Sequence, residues 1–237
     1  MVSVVEDIVH MNGVRDIVFK GFIFEGAQRH GLVLEGSERV RIEGATIRNL
    51  GGWALRAQGG TRVEVIGCDI SGTGDGGIAL KGGDRRSLTP GRHRADNNHI
   101  HHYSRWNTTY KPGISLHGVG LAATRNLIHH APHQAIAFGG NDMLIEGNEI
   151  HNVSSESNDA GAIYALRDWS MRGHIIRYNY LHHLYGYDGM GCHGVYLDDN
   201  FSSALVYDNI FAQTRRPVLF GGGRDNLLEN NIFYQCD

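Results

Sequence analysis

Short runs of alternating apolar and polar residues recur along the chain, each closed by small or polar turn residues. MLIEGNEIH followed by AGAIYAL and HIIRYNYLH followed by HGVYLDD are two examples. Alternation over so few residues is the period of a half-buried strand. An asparagine stands two positions ahead of an aliphatic or aromatic residue in Asn98/Ile100, Asn126/Ile128, Asn148/Ile150, Asn179/Leu181, Asn209/Phe211 and Asn231/Phe233. Successive asparagines lie 28, 22, 31, 30 and 22 residues apart, so a minimal coil of 22 is lengthened by inserted loops. Two earlier coils, VRIEGATI to WALRA and VEVIGCDI to GGIAL, carry Ala45 and Cys68 at the asparagine position.

Such strands cannot bury an apolar face alone, and a repeat of this length gains its core by stacking coil on coil. The pattern therefore predicts an all-β, single-stranded, right-handed parallel β-helix, a solenoid of about nine coils spanning residues 1–237 as one domain. Ile114, Ile136, Ile163, Val195 and Val218 are expected to line one inward column. The asparagines are expected to form a bonded ladder that satisfies the backbone groups freed at the bend, a structural role. His101, His129, His151 and His182 share one repeat position and are read as a packing column, with no metal site expected. His133 and His193 fall outside that column. The two long irregular stretches, 82–93 and 102–112, read as loops on the scaffold. Neither end shows an amphipathic capping helix, so the open coil ends are expected to meet capping segments, self-associate, or continue into a longer chain.

The composition supports repetitive β structure: 41% hydrophobic and 20% charged residues, with 33 glycines against 4 prolines, fit a folded chain with many tight turns. A net charge of -3 gives no basic stripe for nucleic acid. No apolar run is long enough to span a bilayer, and the opening MVSVVEDIVHMNG lacks the features of an export signal. Cys68, Cys192 and Cys236 are odd in number and unclustered, which predicts neither a disulfide framework nor a zinc site.

Reactive side chains are densest in DAGAIYALRDW (159–169) and HGVYLDDN (193–200). Aligning Tyr164 with Tyr196 puts Ile163 over Val195 in the core and both tyrosines on the outer face. The same alternation turns Asp198 outward and leaves Asp199 at the strand end. Asp159, Asp168, Asp198 and Asp199 would then share a patch with Tyr164, Arg167, Trp169 and Tyr196. Aromatic faces stack on sugar rings, arginine and carboxylates bind hydroxyls, and paired carboxyls divide the tasks of glycoside hydrolysis. Plainer readings stand beside these: Asp168 could pair with Arg167 or Arg172, and the two tyrosines could be an aromatic ladder.

GGDRRSLTPG (82–91), TYKPGISLHGVG (109–120), RNLIHHAPHQAI (125–136), NDMLIEGNEIHNV (141–153), DAGAIYALRDWSMRG (159–173), IIRYNYLHHLYG (175–186), VYLDDN (195–200) and GGGRDNLLENNIF (221–233) together resemble the right-handed β-helix proteins of the pectin-lyase-like superfamily grouped as glycoside hydrolase family 141. The resemblance implies an extracellular or periplasmic enzyme acting on plant-type polysaccharide, with fucosidase or xylanase activity. It further implies that Asp159 and Asp198 are the leading catalytic pair, with Asp199 and Asp168 behind them. The residues themselves offer Tyr164, Arg167, Trp169 and Tyr196 as substrate contacts, with His193 and His133, outside the histidine column, open to the same role. The sequence departs from the family at Ala165-Leu166, just before the Arg-Asp-Trp run, where a leucine would narrow the cleft or alter the substrate. Two other readings remain open. A polysaccharide lyase or uronate epimerase would draft His193, Arg167, Lys111 and Arg216, with calcium the one cofactor in prospect. A non-catalytic carbohydrate-binding scaffold needs none of these.

Overall fold

The computed structural model describes residues 3–237. Strands build three sheets of nine strands each, in which every neighbour is the equivalent strand of the next coil. All the pairings are parallel, as the register Ile114↔Ile136, Ile136↔Ile163, Ile163↔Val195 and Val195↔Val218 shows along one column. One coil consists of Ile136–Asn141, Leu144–Glu146 and Glu149–His151, which belong to the first, second and third sheets in turn. Apart from a single 3-10 turn at Tyr187–Gly189, every regular element among the described residues is a strand. None is a helix long and apolar enough to cross a membrane.

Each coil thus has three strands, where the alternation predicts two. The extra one is the segment after the asparagine, His99–His101 or Glu149–His151 for example. Three residues are too few to show a period, so sequence reads them as part of the turn. Inserted loops are also more numerous than 82–93 and 102–112. Residues 152–160, 166–173 and 185–192 also interrupt the coils, the last holding the 3-10 turn.

The core is the column of inward aliphatic residues, in which Ile114, Ile136, Ile163 and Val195 are fully buried. Beside it runs the asparagine ladder. Asn98, Asn126, Asn148 and Asn179 each donate a side-chain N–H to the Oδ1 of the next asparagine at 2.9 Å. The same oxygens accept the backbone N–H of the preceding asparagine at 2.9–3.0 Å. Each amide also donates to a carbonyl one coil back, Asn148 to Ala123 O at 3.0 Å. A bend that would orphan buried polar groups is thereby satisfied by side chains, as burial demands. Cys68 begins the ladder by donating its backbone N–H to Asn98 Oδ1 at 3.0 Å. Cys68 and Cys192 are buried free thiols, and Cys236 is a partly exposed one.

Candidate active-site cleft

Gly161–Ala165 and His193–Leu197 are adjacent strands of the first sheet, in the register Ile163↔Val195 and Tyr164↔Tyr196. With the isoleucine and valine inward, the two tyrosines take the outer face. Their rings meet edge to face with centroids 5.4 Å apart, a favourable aromatic arrangement. Gly161 makes room for this pair, since a Cβ there would lie 2.6 Å from the Cβ of Tyr196.

Over these strands lies a cleft of about 470 Å³, into which Asp159, Tyr164, Arg167, Tyr196 and Asp198 face. Tyr110 and Leu166 complete its lining. Asp198 is outward in the strand alternation yet only 4% exposed. Its Oδ2 accepts hydrogen bonds from the Tyr164 hydroxyl at 2.7 Å and from Arg167 Nε at 3.1 Å, and its Oδ1 accepts from the Asp199 N–H at 2.8 Å. Burial alone would raise its pKa, but the tyrosine, the backbone N–H and the arginine outweigh it and hold Asp198 below the usual carboxylate range. It is therefore ionised at neutral pH. Tyr164 is buried rather than open to solvent, and burial with the Asp198 charge pushes its phenol far up. Burial and the charges of Asp198 and Asp159 push Tyr196 up to about 12. Both phenols are donors, not bases, at neutral pH.

Behind the cleft lie His133 and His193, both buried. His133 packs on Tyr110 with ring centroids 4.9 Å apart, and His193 packs on Tyr196 at 4.9 Å. Burial lowers both pKa values, against an opposing pull from Asp159, so both rings are neutral. Neither has a hydrogen-bond partner for Nδ1 among the described residues.

The four carboxylates do not gather as the alternation suggests. Asp199 stays at the rim, 3.5 Å from Arg167 Nε with its side chain 60% exposed. Asp168 is drawn away: it accepts from Arg85 at 3.2 Å and from the Ser170 hydroxyl and N–H at 2.5 and 2.8 Å. Arg85 also reaches Asn141 Oδ1 at 2.9 Å, so the loop after Gly82 is tied to the loop after Ala165. Asp168 pairs neither with Arg167 nor with Arg172. Trp169 is 68% exposed and lies outside the cleft lining. Tyr110 is the contact that sequence marks least, since its only signal is an aromatic residue in a loop inserted between coils. A larger hollow of about 670 Å³ lies further along, over Lys81, His117 and a run of glycines. Arg85 also lines it, and Asp84 is its one carboxylate, so it lacks the paired carboxyls of the cleft.

Residues 7–89 and 112–237 match the family described as right handed beta helix region. The chain belongs to this family. Two solved structures share the architecture at low identity. A glycoside hydrolase is 17% identical with a TM-score of 0.65, over 87% of this chain and 38% of its own. The A-module of the mannuronan C-5 epimerase AlgE4 from Azotobacter vinelandii is 13% identical with a TM-score of 0.69, over 91% of this chain and 58% of its own. The chain thus spans less than two thirds of either structure. No curated protein matches its sequence. At these identities the likeness is one of fold, and the chemistry must be argued from the cleft.

Proposed function

We propose that this β-helix binds a glycan of the plant-polysaccharide class along its first sheet and hydrolyses a glycosidic bond, with Asp198 and Asp159 as the carboxyl pair. The observation that carries the reading is an ionised, thrice hydrogen-bonded Asp198 facing the same cleft as Asp159. A carboxylate kept charged in a largely buried setting suits the base, nucleophile or oxocarbenium-stabilising role, and Asp159, the other carboxyl lining the cleft, completes the pair beside Tyr196. Tyr110, Tyr164 and Tyr196 offer aromatic and hydroxyl contacts of the kind sugars use. Arg167 orients Asp198 from the rim. The likeness in fold to a glycoside hydrolase agrees with this reading.

The test is a panel of reducing-end-labelled plant glycans, incubated with the protein and with Asp198→Asn. Release of shorter oligosaccharides by the first and not the second supports the proposal; products from both, or from neither, sink it.

Proton abstraction from a uronate, as in an epimerase or lyase, has one observation in its favour. His193 is neutral with an unpartnered Nδ1 beside Tyr196, a combination able to take a proton. Against it stands the charge of the cleft. Its lining holds a single cation, Arg167, which already faces Asp198 and Asp199. A uronate carboxylate would meet net negative charge there unless calcium intervened. Absorbance growing near about 235 nm, from an unsaturated uronate, would favour a lyase over hydrolysis.

A further inference from the structure

The histidine column on the third sheet does more than pack. His101, His129, His151 and His182 stack at ring-centroid distances of 5.3, 4.7 and 4.7 Å. In each case the next residue adopts a left-handed backbone, φ 51–52° at His102, His130, Asn152 and His183. That turn brings the next side chain back onto the ladder histidine, and each Nδ1 is engaged at 2.6–2.7 Å. His151 donates its Nδ1–H to Asn152 Oδ1, which leaves Nε2 as a lone pair. Metal-binding histidines are held in this way, one nitrogen fixed by an outer partner and the other free to coordinate.

At two places a carboxylate completes the set. Asp69 stands opposite His99 across adjacent coils, and His101 lies two positions along the same strand, on the same face. Asp69 Oδ2 is 2.9 Å from His99 Nδ1, and Asp69 Oδ1 is 3.8 Å from His101 Nε2. These distances bracket the roughly 3.3–3.4 Å edge of a tetrahedron with bonds of about 2.0–2.1 Å. The remaining nitrogen of His99 is taken by His129 Nε2 at 2.8 Å. Further along, Glu149 and His151 share a strand face, and His182 stands opposite His151 with its Nε2 3.3 Å from Glu149 Oε1. In both groups the donor atoms lie within 4.8 Å of one another. Side-chain exposures of 39%, 47% and 21% for His99, Asp69 and His101 leave the first group open to an entering ion.

We propose that the third sheet carries two divalent transition-metal sites, Asp69/His99/His101 and Glu149/His151/His182, each built from two adjacent coils. Two imidazoles with one carboxylate suit zinc, with water filling the open position. Each ion would staple neighbouring coils of the third sheet, whereas the cleft lies over strands of the first. Neither site uses a residue of the cleft.

The test uses tag-free, chelator-treated protein titrated with Zn²⁺ alone by calorimetry, and two double variants, Asp69→Asn/His99→Gln and Glu149→Gln/His182→Gln. Uptake of two ions by the unaltered chain, with one equivalent lost in each variant, is expected. Ring-nitrogen NMR shifts in the unaltered protein provide a readout independent of variant folding, and are expected at His99, His101, His151 and His182. No uptake, full uptake by both variants, or shifts confined to other histidines would overturn the proposal. Loss in only one variant would overturn the other site.

Discussion

The asparagine corner and the outer face of the first sheet are built from the same coils but behave in opposite ways. From Asn98 to Asn209 the corner repeats one bonding scheme, amide to amide at 2.9 Å, whatever loops intervene. On the first sheet the outward positions change from coil to coil. Ala79, Ser115 and Ala137 give way to Tyr164 and Tyr196 along one row. Where the residue repeats, its partner is its own copy in the next coil, and the gain is stability. Where it varies, the side chains face loops and solvent, and a cleft with Asp198 and Asp159 results.

The sharpest way to break this contrast is to remove one residue from each region. Asp198→Asn should lower turnover on a hydrolysed glycan by roughly a thousandfold, the scale of losing a base or acid group. Its stability should fall less than on loss of a ladder asparagine, because the amide oxygen can still accept from the Asp199 N–H, although its NH2 cannot accept from Tyr164 and Arg167. Asn148→Ala should do the reverse. It strips the acceptor from two Asn126 donors and the donor from Ala123 O and Asn179 Oδ1, all buried. A loss of roughly 3–4 kcal/mol in denaturant unfolding is expected. Equal losses of stability from both substitutions would erase the distinction.

A third effect acts through histidines buried in the frame. Burial lowers His93 and His174 to about 4, and each accepts a backbone N–H, from Val63 at 3.0 Å and Met143 at 3.4 Å. A folded pKa below the unfolded one means that the unfolded chain binds more protons between the two values. Stability is then complete above about pH 6.5 and falls as the pH drops toward 4. Each histidine should cost on the order of 2 kcal/mol at pH 5 relative to pH 7. Thermal unfolding at the two pH values measures this. His93→Asn, which keeps an acceptor for Val63 without titrating there, should flatten the slope.

How far the sequence reaches follows the same division. The asparagines set the phase of the coils from Asn98 onward, and with the phase known the register of Tyr164 on Tyr196 and Ile163 on Val195 is readable. So is the histidine column, because one repeat position means one place on the rod. The third strand is not legible, since three residues carry no period. Nor is burial beside a loop: Tyr164 and Asp198 point outward by alternation, yet they are buried where Arg167 and the residues after Ala165 close over them. Tyr110 enters from a loop whose length alone says nothing of where its tip lands.

Asp168 is the instructive case, and it supplies the smallest predicted effect. Strand alternation extended past Ala165 puts it beside Asp198. But the strand ends at Ala165, and beyond it side-chain direction is set by whichever partner is in reach. That partner is Arg85, 83 residues earlier in sequence, together with Ser170. Burial pulls the Asp168 pKa up, while Ser170 and Arg85 pull it further down, so it is ionised and committed to tying two loops. A carboxylate in that state neither donates a proton nor faces the cleft. Asp168→Asn should therefore cost about 0.5–1 kcal/mol of stability, as for a partly exposed ion pair. Turnover on any glycan the protein cleaves should stay close to the unaltered value, measured beside Asp198→Asn in the same assay. A loss at Asp168 as deep as that at Asp198 would mean that the loop swings its carboxylate into the cleft when substrate binds, and would return the catalytic count to the larger set of acids that the resemblance implies.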